Sequence, residues 1–141
     1  IILDSEYNKA TQTLIDKVQE ILDPIPYNGL GVGVAPIGHI VTVTTADEIP
    51  INISVKLTFD EGYNWENTID TATEVIENYL LELRKDWATS TETVVRVAQI
   101  ETRLLAIDGI IDIEGTKING VDSNLILGIN NIPVMGVIEN E

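Results

Sequence analysis

The sequence predicts an α+β fold, a two-layer sandwich with two helices packed on one face of a mainly antiparallel sheet and an extra N-terminal helix. Three observations lead to this prediction. One segment alternates apolar and polar residues, two later segments repeat apolar residues at helical spacing, and the C-terminal part alternates again. Two packed layers would bury every one of these apolar stripes.

The N-terminal part begins with a predicted helix at residues 11–22, whose apolar residues recur at helical spacing. The helix should end at Asp23-Pro24, because proline disfavours the helical conformation in the residue before it. A glycine-rich loop follows at residues 29–38. Residues 40–45 are almost all β-branched, which favours a strand.

The clearest pattern lies at residues 49–60, where apolar Ile49, Ile51, Ile53, Val55, Leu57 and Phe59 alternate with polar residues and proline. Successive side chains of a strand point to opposite faces, so this strand should have one buried face and one wet face. Only residues 45–48 separate it from the strand predicted before it. The two strands are therefore predicted to form an antiparallel hairpin.

Two further helices are predicted at residues 67–87 and 97–107, each with a single apolar stripe. Asn67 or Thr68 is the expected N-cap of the first, and Gly109 is the expected left-handed stop after the second. Short strands should follow at residues 111–113, 125–129 and 134–138, with a tight turn at Asn119-Gly120. The predicted organisation is a lead-in at residues 1–38, starting with the end of an upstream strand, and an α+β domain at residues 39–141.

Composition restricts the function. The chain has 141 residues and a net charge of −15, from 8 basic and 23 acidic residues. Such a surface repels phosphates, so we expect no nucleic-acid partner, and anionic membrane surfaces are disfavoured for the same reason. No apolar run approaches the roughly 20 residues needed to cross a bilayer, so we expect no membrane insertion. The acidity favours either solubility or a basic partner surface.

Residues that could support chemistry are sparse, so we expect no catalytic, cofactor-binding or metal-binding residue. The chain has one histidine, His39, and no cysteine, which leaves no zinc ligand set. The glycine loop follows a helix and lacks lysine, whereas a phosphate loop follows a strand and opens a helix. Asp60 and Asn64 have calcium-like spacing, but Thr71 stands where a closing glutamate belongs, so they are interpreted as turn formers. The same interpretation applies to Asp122 and Asn124.

Several segments occur in an order typical of one known family. They are the loop Gly29-x-Gly31-x-Gly33-x-Ala35-Pro36-Ile37-Gly38-His39, the following Val41-Thr42-Val43, the stretch at residues 95–100, the Asp108-Gly109-Ile110-Ile111-Asp112 motif, and the ending Ile132-Pro133-Val134-Met135-Gly136-Val137. Together they resemble the C-terminal region of the baseplate J-like family of contractile phage tails, in the version of PBSX-type prophages. The resemblance covers nearly the whole chain and carries over no catalytic residue.

The resemblance implies a structural component of a phage or phage-like tail baseplate, which acts by association with hub and wedge proteins and has no cofactor. It implies a location in the virion baseplate or a phage-like particle, and in the bacterial host cytoplasm during assembly. Self-association is left open. An exposed glycine and proline loop can dock a neighbouring subunit or serve as a plain connector. The candidate docking residues are Leu30, Gly31, Val32, Gly33, Val34, Ala35, Pro36 and Ile37. A small-molecule-sensing regulatory domain is the alternative, on fold analogy alone.

Overall fold

The computed structural model describes residues 1–141, which form two compact units, Ile1–Asp47 and Glu48–Glu141. The elements are α1 (Gln12–Leu22), β1 (Asp47–Phe59), α2 (Trp65–Asp86), a short 3-10 helix (Trp87–Thr89), β2 (Thr93–Val95), α3 (Val97–Leu105), β3 (Ile110–Ile118), β4 (Leu125–Leu127) and β5 (Asn131–Asn140). The α+β fold class predicted from the sequence is confirmed.

The first unit contains α1 and the long segment that follows it. The helix begins where the sequence predicts, because the Thr11 side chain accepts a hydrogen bond from the Leu14 amide and caps the first turn. The strand predicted at residues 40–45 is wrong, and so is its hairpin with the next strand. Thr45 alone makes an isolated bridge, to Ile2.

The missing strand has a physical explanation in the side chains of α1. The Val41 amide donates to the Asp23 carboxylate over 2.9 Å, and the Val43 amide donates to the Gln19 side-chain oxygen over 2.8 Å. Side chains thus satisfy the backbone groups that a strand partner would otherwise take. These bonds also tie residues 39–45 to α1, so the compact unit ends at Asp47 and not at residue 38.

The second unit contains a three-stranded sheet in the order β3-β1-β5 and a two-stranded sheet of β2 and β4. β1 pairs antiparallel with β3, and β2 pairs antiparallel with β4. β5 runs in the same direction as β1, since Asn52 bonds to the Val137 amide and Val55 bonds to the Glu141 amide. Two of the three strand pairs are antiparallel, but they lie in two separate sheets, and the three-stranded sheet is mixed.

The core of the second unit lies between β1 and the helices α2 and α3. α2 packs against β5, α3 packs against β3, and the helices contact each other. The apolar face of β1 is buried as the alternation predicts, and its members are Ile51, Ile53, Val55 and Leu57. On the other face Asn52 and Lys56 are exposed, while Ser54 is half-buried. The predicted register of this strand is confirmed.

The N-terminus of α2 differs from the expectation. Asn64 is the N-cap, and neither Asn67 nor Thr68 takes that place. The Asn64 side chain accepts from the Asn67 amide, and the Asn67 side chain accepts from the Asn64 amide, both over 3.0 Å. This reciprocal capping box satisfies two backbone donors, so the helix starts at Trp65, earlier than its apolar stripe suggests.

The C-terminal strands occur where predicted, but β3 and β5 are longer than their alternating stretches. Register shifts opposite Ser54–Lys56 and Thr58–Phe59 interrupt the alternation of β3. The turn at Asn119-Gly120 is confirmed, with φ of 49° and 82°, and it closes through reciprocal bonds between Ile118 and Val121. Gly109 has the expected left-handed conformation, with φ of 91°, but it is not the stop of the helix. α3 ends at Leu105 with Ala106 as its C-cap, so Gly109 lies in the turn that leads into β3.

Candidate docking surface

The glycine loop folds back onto the C-terminal end of α1. The Val34 amide donates to the Ile21 carbonyl over 3.0 Å, and the Ala35 amide donates to the Leu22 carbonyl over 2.8 Å. These are carbonyls at the helix end, which lack partners within the helix. A Cβ atom on Gly33 would lie 2.5 Å from the Leu22 carbonyl oxygen, so this close approach requires glycine.

The loop is closed on itself at its base. The Gly38 amide donates to the Gly29 carbonyl over 2.8 Å, and the Leu30 amide donates to the Tyr27 carbonyl over 3.2 Å. The Ile37 side chain lies over Gly31, where an added Cβ atom would come within 2.5 Å of its Cγ1. The loop therefore has a defined conformation, although it consists mostly of small and apolar residues.

Asp23 holds the loop and the following segment to the end of α1. Its side chain is 1% exposed, and its two carboxylate oxygens accept from the Gly29 amide and the Val41 amide, each over 2.9 Å. The Val41 amide above all, followed by the Gly29 amide and the Asn28 side chain, lowers the pKa of this carboxyl, and burial opposes them. Asp23 is thus ionised at neutral pH, and the backbone N–H groups stabilise its negative charge.

Gln19 complements Asp23 from one turn earlier in α1. Its side-chain nitrogen donates to the Asp23 carbonyl over 2.7 Å and to the Val41 carbonyl over 2.8 Å. Neither residue was predicted from the sequence to organise the loop. One signal was present: Asp23 is the last charged residue before a stretch without Asp, Glu, Lys or Arg that runs to residue 46.

The candidate docking residues are largely exposed to solvent. Leu30 and Val32 are each 63% exposed, Val34 is 71% exposed and Ile37 is 79% exposed. Gly31 and Pro36 are exposed as well, while Gly33 and Ala35 are half-buried. Exposed apolar side chains are ordinary when they are scattered, but contiguous ones mark interaction sites. We call Leu30, Val32, Val34 and Ile37 the docking loop.

The residues considered for chemistry have structural partners. The Asp60 side chain accepts from the Glu61 amide, Asn64 caps α2, and the Asn124 side chain accepts from the Val97 amide at the start of α3. His39 is exposed, and its amide donates to the Pro36 carbonyl. No group of three or more His, Asp or Glu side chains is arranged to hold a metal ion.

None of the three α-helices is both long enough and apolar enough to cross a bilayer. A shallow groove of about 520 Å³ lies on the solvent-exposed face of the three-stranded sheet, next to Asn52, Ser54, Val137 and Glu139. Its lining mixes amide, hydroxyl, apolar and acidic groups. No buried titratable group faces it, so the groove lacks the convergent polar chemistry of a ligand site.

Comparison with known proteins finds a family model and relatives whose sequences match this chain. A family model described as the baseplate J-like protein C-terminal domain matches residues 51–141. The uncharacterized protein YqbT of Bacillus subtilis (strain 168) is 33% identical over 136 residues, which cover 96% of this chain and 37% of that protein. The phage-like element PBSX protein XkdT of the same strain is 30% identical over 139 residues, covering 99% of this chain and 38% of that protein.

The chain spans less than two fifths of the length of either relative. The family match begins within β1 and extends to the last residue, so it covers nearly all of the second unit. The matches to the two relatives include the first unit as well. This chain belongs to the baseplate J-like protein family, whose C-terminal domain makes up its second unit.

Proposed function

We propose that this chain is a structural component of a phage or phage-like contractile tail baseplate, and that it acts by associating with other tail proteins during assembly. The observation that carries the proposal is the ordered docking loop, which presents four large apolar side chains to solvent. Membership of the baseplate J-like family and similarity to a protein of a phage-like element give this surface its setting.

The loop has the properties of a preformed contact. Its backbone bonds to α1 and to itself, so docking requires little further ordering of the chain. Full burial of one Val, Leu or Ile side chain contributes about 1.5–3 kcal/mol. Four partly exposed ones would contribute on the order of 5 kcal/mol, which is comparable to the lower estimates for the entropic cost of association.

The contact is therefore weak in isolation and becomes effective inside a particle. Neighbouring domains that are already assembled raise the effective concentration of each surface, so weak contacts suffice. Hub and wedge proteins of the baseplate are the proposed partners. The proposed location is the tail baseplate, after assembly in the host cytoplasm. This role uses no catalytic residue and no cofactor, and the proposed function is not that of an enzyme.

Deletion and complementation test this role. We expect that tails from cells lacking the gene have no complete baseplate in negative-stain electron microscopy, and that the wild-type gene restores them. An affinity-tagged copy should label one end of each tail. Normal tails in the deletion strain, or label distributed along the tube, would contradict the proposal.

A further inference from the structure

The first unit fully buries none of its large apolar side chains. Eight of them, including Leu14, Val18 and Leu22 on α1, are half-buried, and the others are exposed. Its buried apolar residues are Ala10 and Ala46. Beside the docking loop, Ile21 is 61% exposed, Ile25 is 72% exposed and Tyr27 is 55% exposed. Ile40 is 75% exposed. A folded segment with this distribution has its apolar side chains arranged for a partner, because a core of its own would bury them.

Several of the exposed side chains are brought together at the loop and the end of α1. Ile37 lies over Gly31, and Ile40 approaches Gly29, where an added Cβ atom would be 3.2 Å from its Cγ1. The Val34 amide bonds to the carbonyl of Ile21, which brings the loop beside the end of α1. We call the docking loop together with Ile21, Ile25, Tyr27 and Ile40 the apolar face.

The charge pattern indicates what kind of partner fits. Residues 24–46 contain no Asp, Glu, Lys or Arg, in a chain whose net charge is −15. Exposed acids flank this stretch in the sequence, with Asp16 and Glu20 on α1 and Asp47 after it, and Lys17 is the one basic residue of α1. A second copy would bring two strongly acidic chains together, which mutual repulsion disfavours. A partner with an apolar centre and basic residues around it would bury apolar surface against the uncharged stretch and pair its basic residues with the flanking acids.

Resting on the proposed function, we infer that the apolar face binds a different protein of the particle, whose contact surface is apolar at its centre and carries Lys or Arg at its rim. The uncharged centre supplies the stability of the contact. The acidic surroundings speed the encounter and select a basic partner over another acidic chain. Both features lie in the first unit, outside the family match at residues 51–141.

The test measures binding of this chain to each baseplate protein of the same particle, purified singly and fixed on a sensor surface. Leu30→Asp and Ile37→Asp should weaken binding to one of them at least about tenfold. Ile129→Asp is the matched control, since Ile129 is 69% exposed in the second unit and receives the same added charge. It should change the affinity less than about twofold. Melting curves of all variants verify that each one folds.

Salt and sedimentation separate the alternatives. Raising NaCl from about 50 to 500 mM should slow association with the partner several-fold, because the rim charges are screened. Binding that strengthens with salt would overturn the basic rim. A dimer of this chain that Ile37→Asp dissolves would overturn the choice of partner in favour of a second copy. If the Ile37→Asp and Ile129→Asp variants bind the partner equally well, the apolar face does not take part in the contact. These results test the apolar face and its partner, whereas the baseplate role itself is tested by the tails of the deletion strain and by the position of the tagged copy.

Discussion

Gly33→Ala tests whether the docking loop is held in place by its close approach to α1. The new Cβ atom would lie 2.5 Å from the Leu22 carbonyl oxygen and 2.6 Å from the Ile21 carbonyl oxygen. Both neighbours are backbone atoms of a helix end, so the loop has to move away. The move breaks the bonds from the Val34 and Ala35 amides, each worth about 1 kcal/mol net. With the loss of packing we expect a local cost of about 2–4 kcal/mol.

Amide hydrogen exchange measures the free energy of loop opening at the loop amides themselves. A loss of about 2–4 kcal/mol corresponds to roughly 30- to 1,000-fold less protection at Val34, Ala35 and Gly38, if these amides exchange through loop opening. Fluorescence of Trp65 and Trp87, both in the second unit, should give an unchanged unfolding transition.

Gly38→Ala is the matched control for this experiment. An added Cβ atom there meets nothing within 4 Å, but φ is 87°, so the change costs only backbone strain of about 1–2 kcal/mol. Gly33→Ala should therefore lower the protection of Val34 and Ala35 more than Gly38→Ala does. Protection within threefold of the wild type in the Gly33→Ala variant would refute the reasoning.

Four further outcomes follow from the structure. Ile53→Ala should lower the free energy of unfolding by about 2–5 kcal/mol in urea titrations, since this side chain is 1% exposed in the core. Arg84→Met should cost about 1–3 kcal/mol, because the buried Pro133 carbonyl loses its donor at 2.9 Å, and a cost near zero would contradict that bond. The lowered pKa of Asp23 means that its stabilisation is complete above the ordinary value of 3.8 and is lost as pH falls through the folded-state value. Urea titrations in the acid range should show this decline in the wild type and less of it in Asp23→Asn. Elemental analysis of protein purified without chelators should find no stoichiometric metal, and a calcium ion at Asp60 and Asn64 would contradict this.

The helices and β1 of the second unit could be predicted well from the sequence, because each of them buries an apolar stripe against a neighbour. The alternation of residues 49–60 reports the register of β1, since a slip by one residue would expose Ile51 and Ile53. The start of α2 was harder to predict. A reciprocal bond between two asparagines sets it, and an Asn-x-x-Asn box is rarer than the Ser or Thr with Glu that defines the common capping box.

In the first unit the segment after the loop escaped prediction, for a different reason. β-propensity describes residues that fit a half-buried pleated surface. Residues 40–45 do alternate between exposed and half-buried side chains, but no strand pairs with them. Asp23 and Gln19 bond to the backbone of that segment, over sequence separations that no local pattern records. The docking loop itself was predicted from its glycine and proline spacing. The exposed Ile21, Ile25, Tyr27 and Ile40 beside it were assigned no surface role, because apolar residues are ordinarily interpreted as core.

The family model and the two relatives match different lengths of the chain, and this difference separates the two units. A family-wide model matches residues 51–141, which contain the packed core, and neighbours constrain each apolar side chain in that core. The first unit is matched by the two Bacillus subtilis relatives, at 96% and 99% coverage of the chain. With the proposed docking role, the surface of this unit has to suit its partner, so its sequence would change with the partner. A docking surface specific to a subgroup of baseplates would behave in this way. An exchange of residues 1–47 between this chain and a family member from a different particle should then transfer partner binding without altering the fold of the second unit.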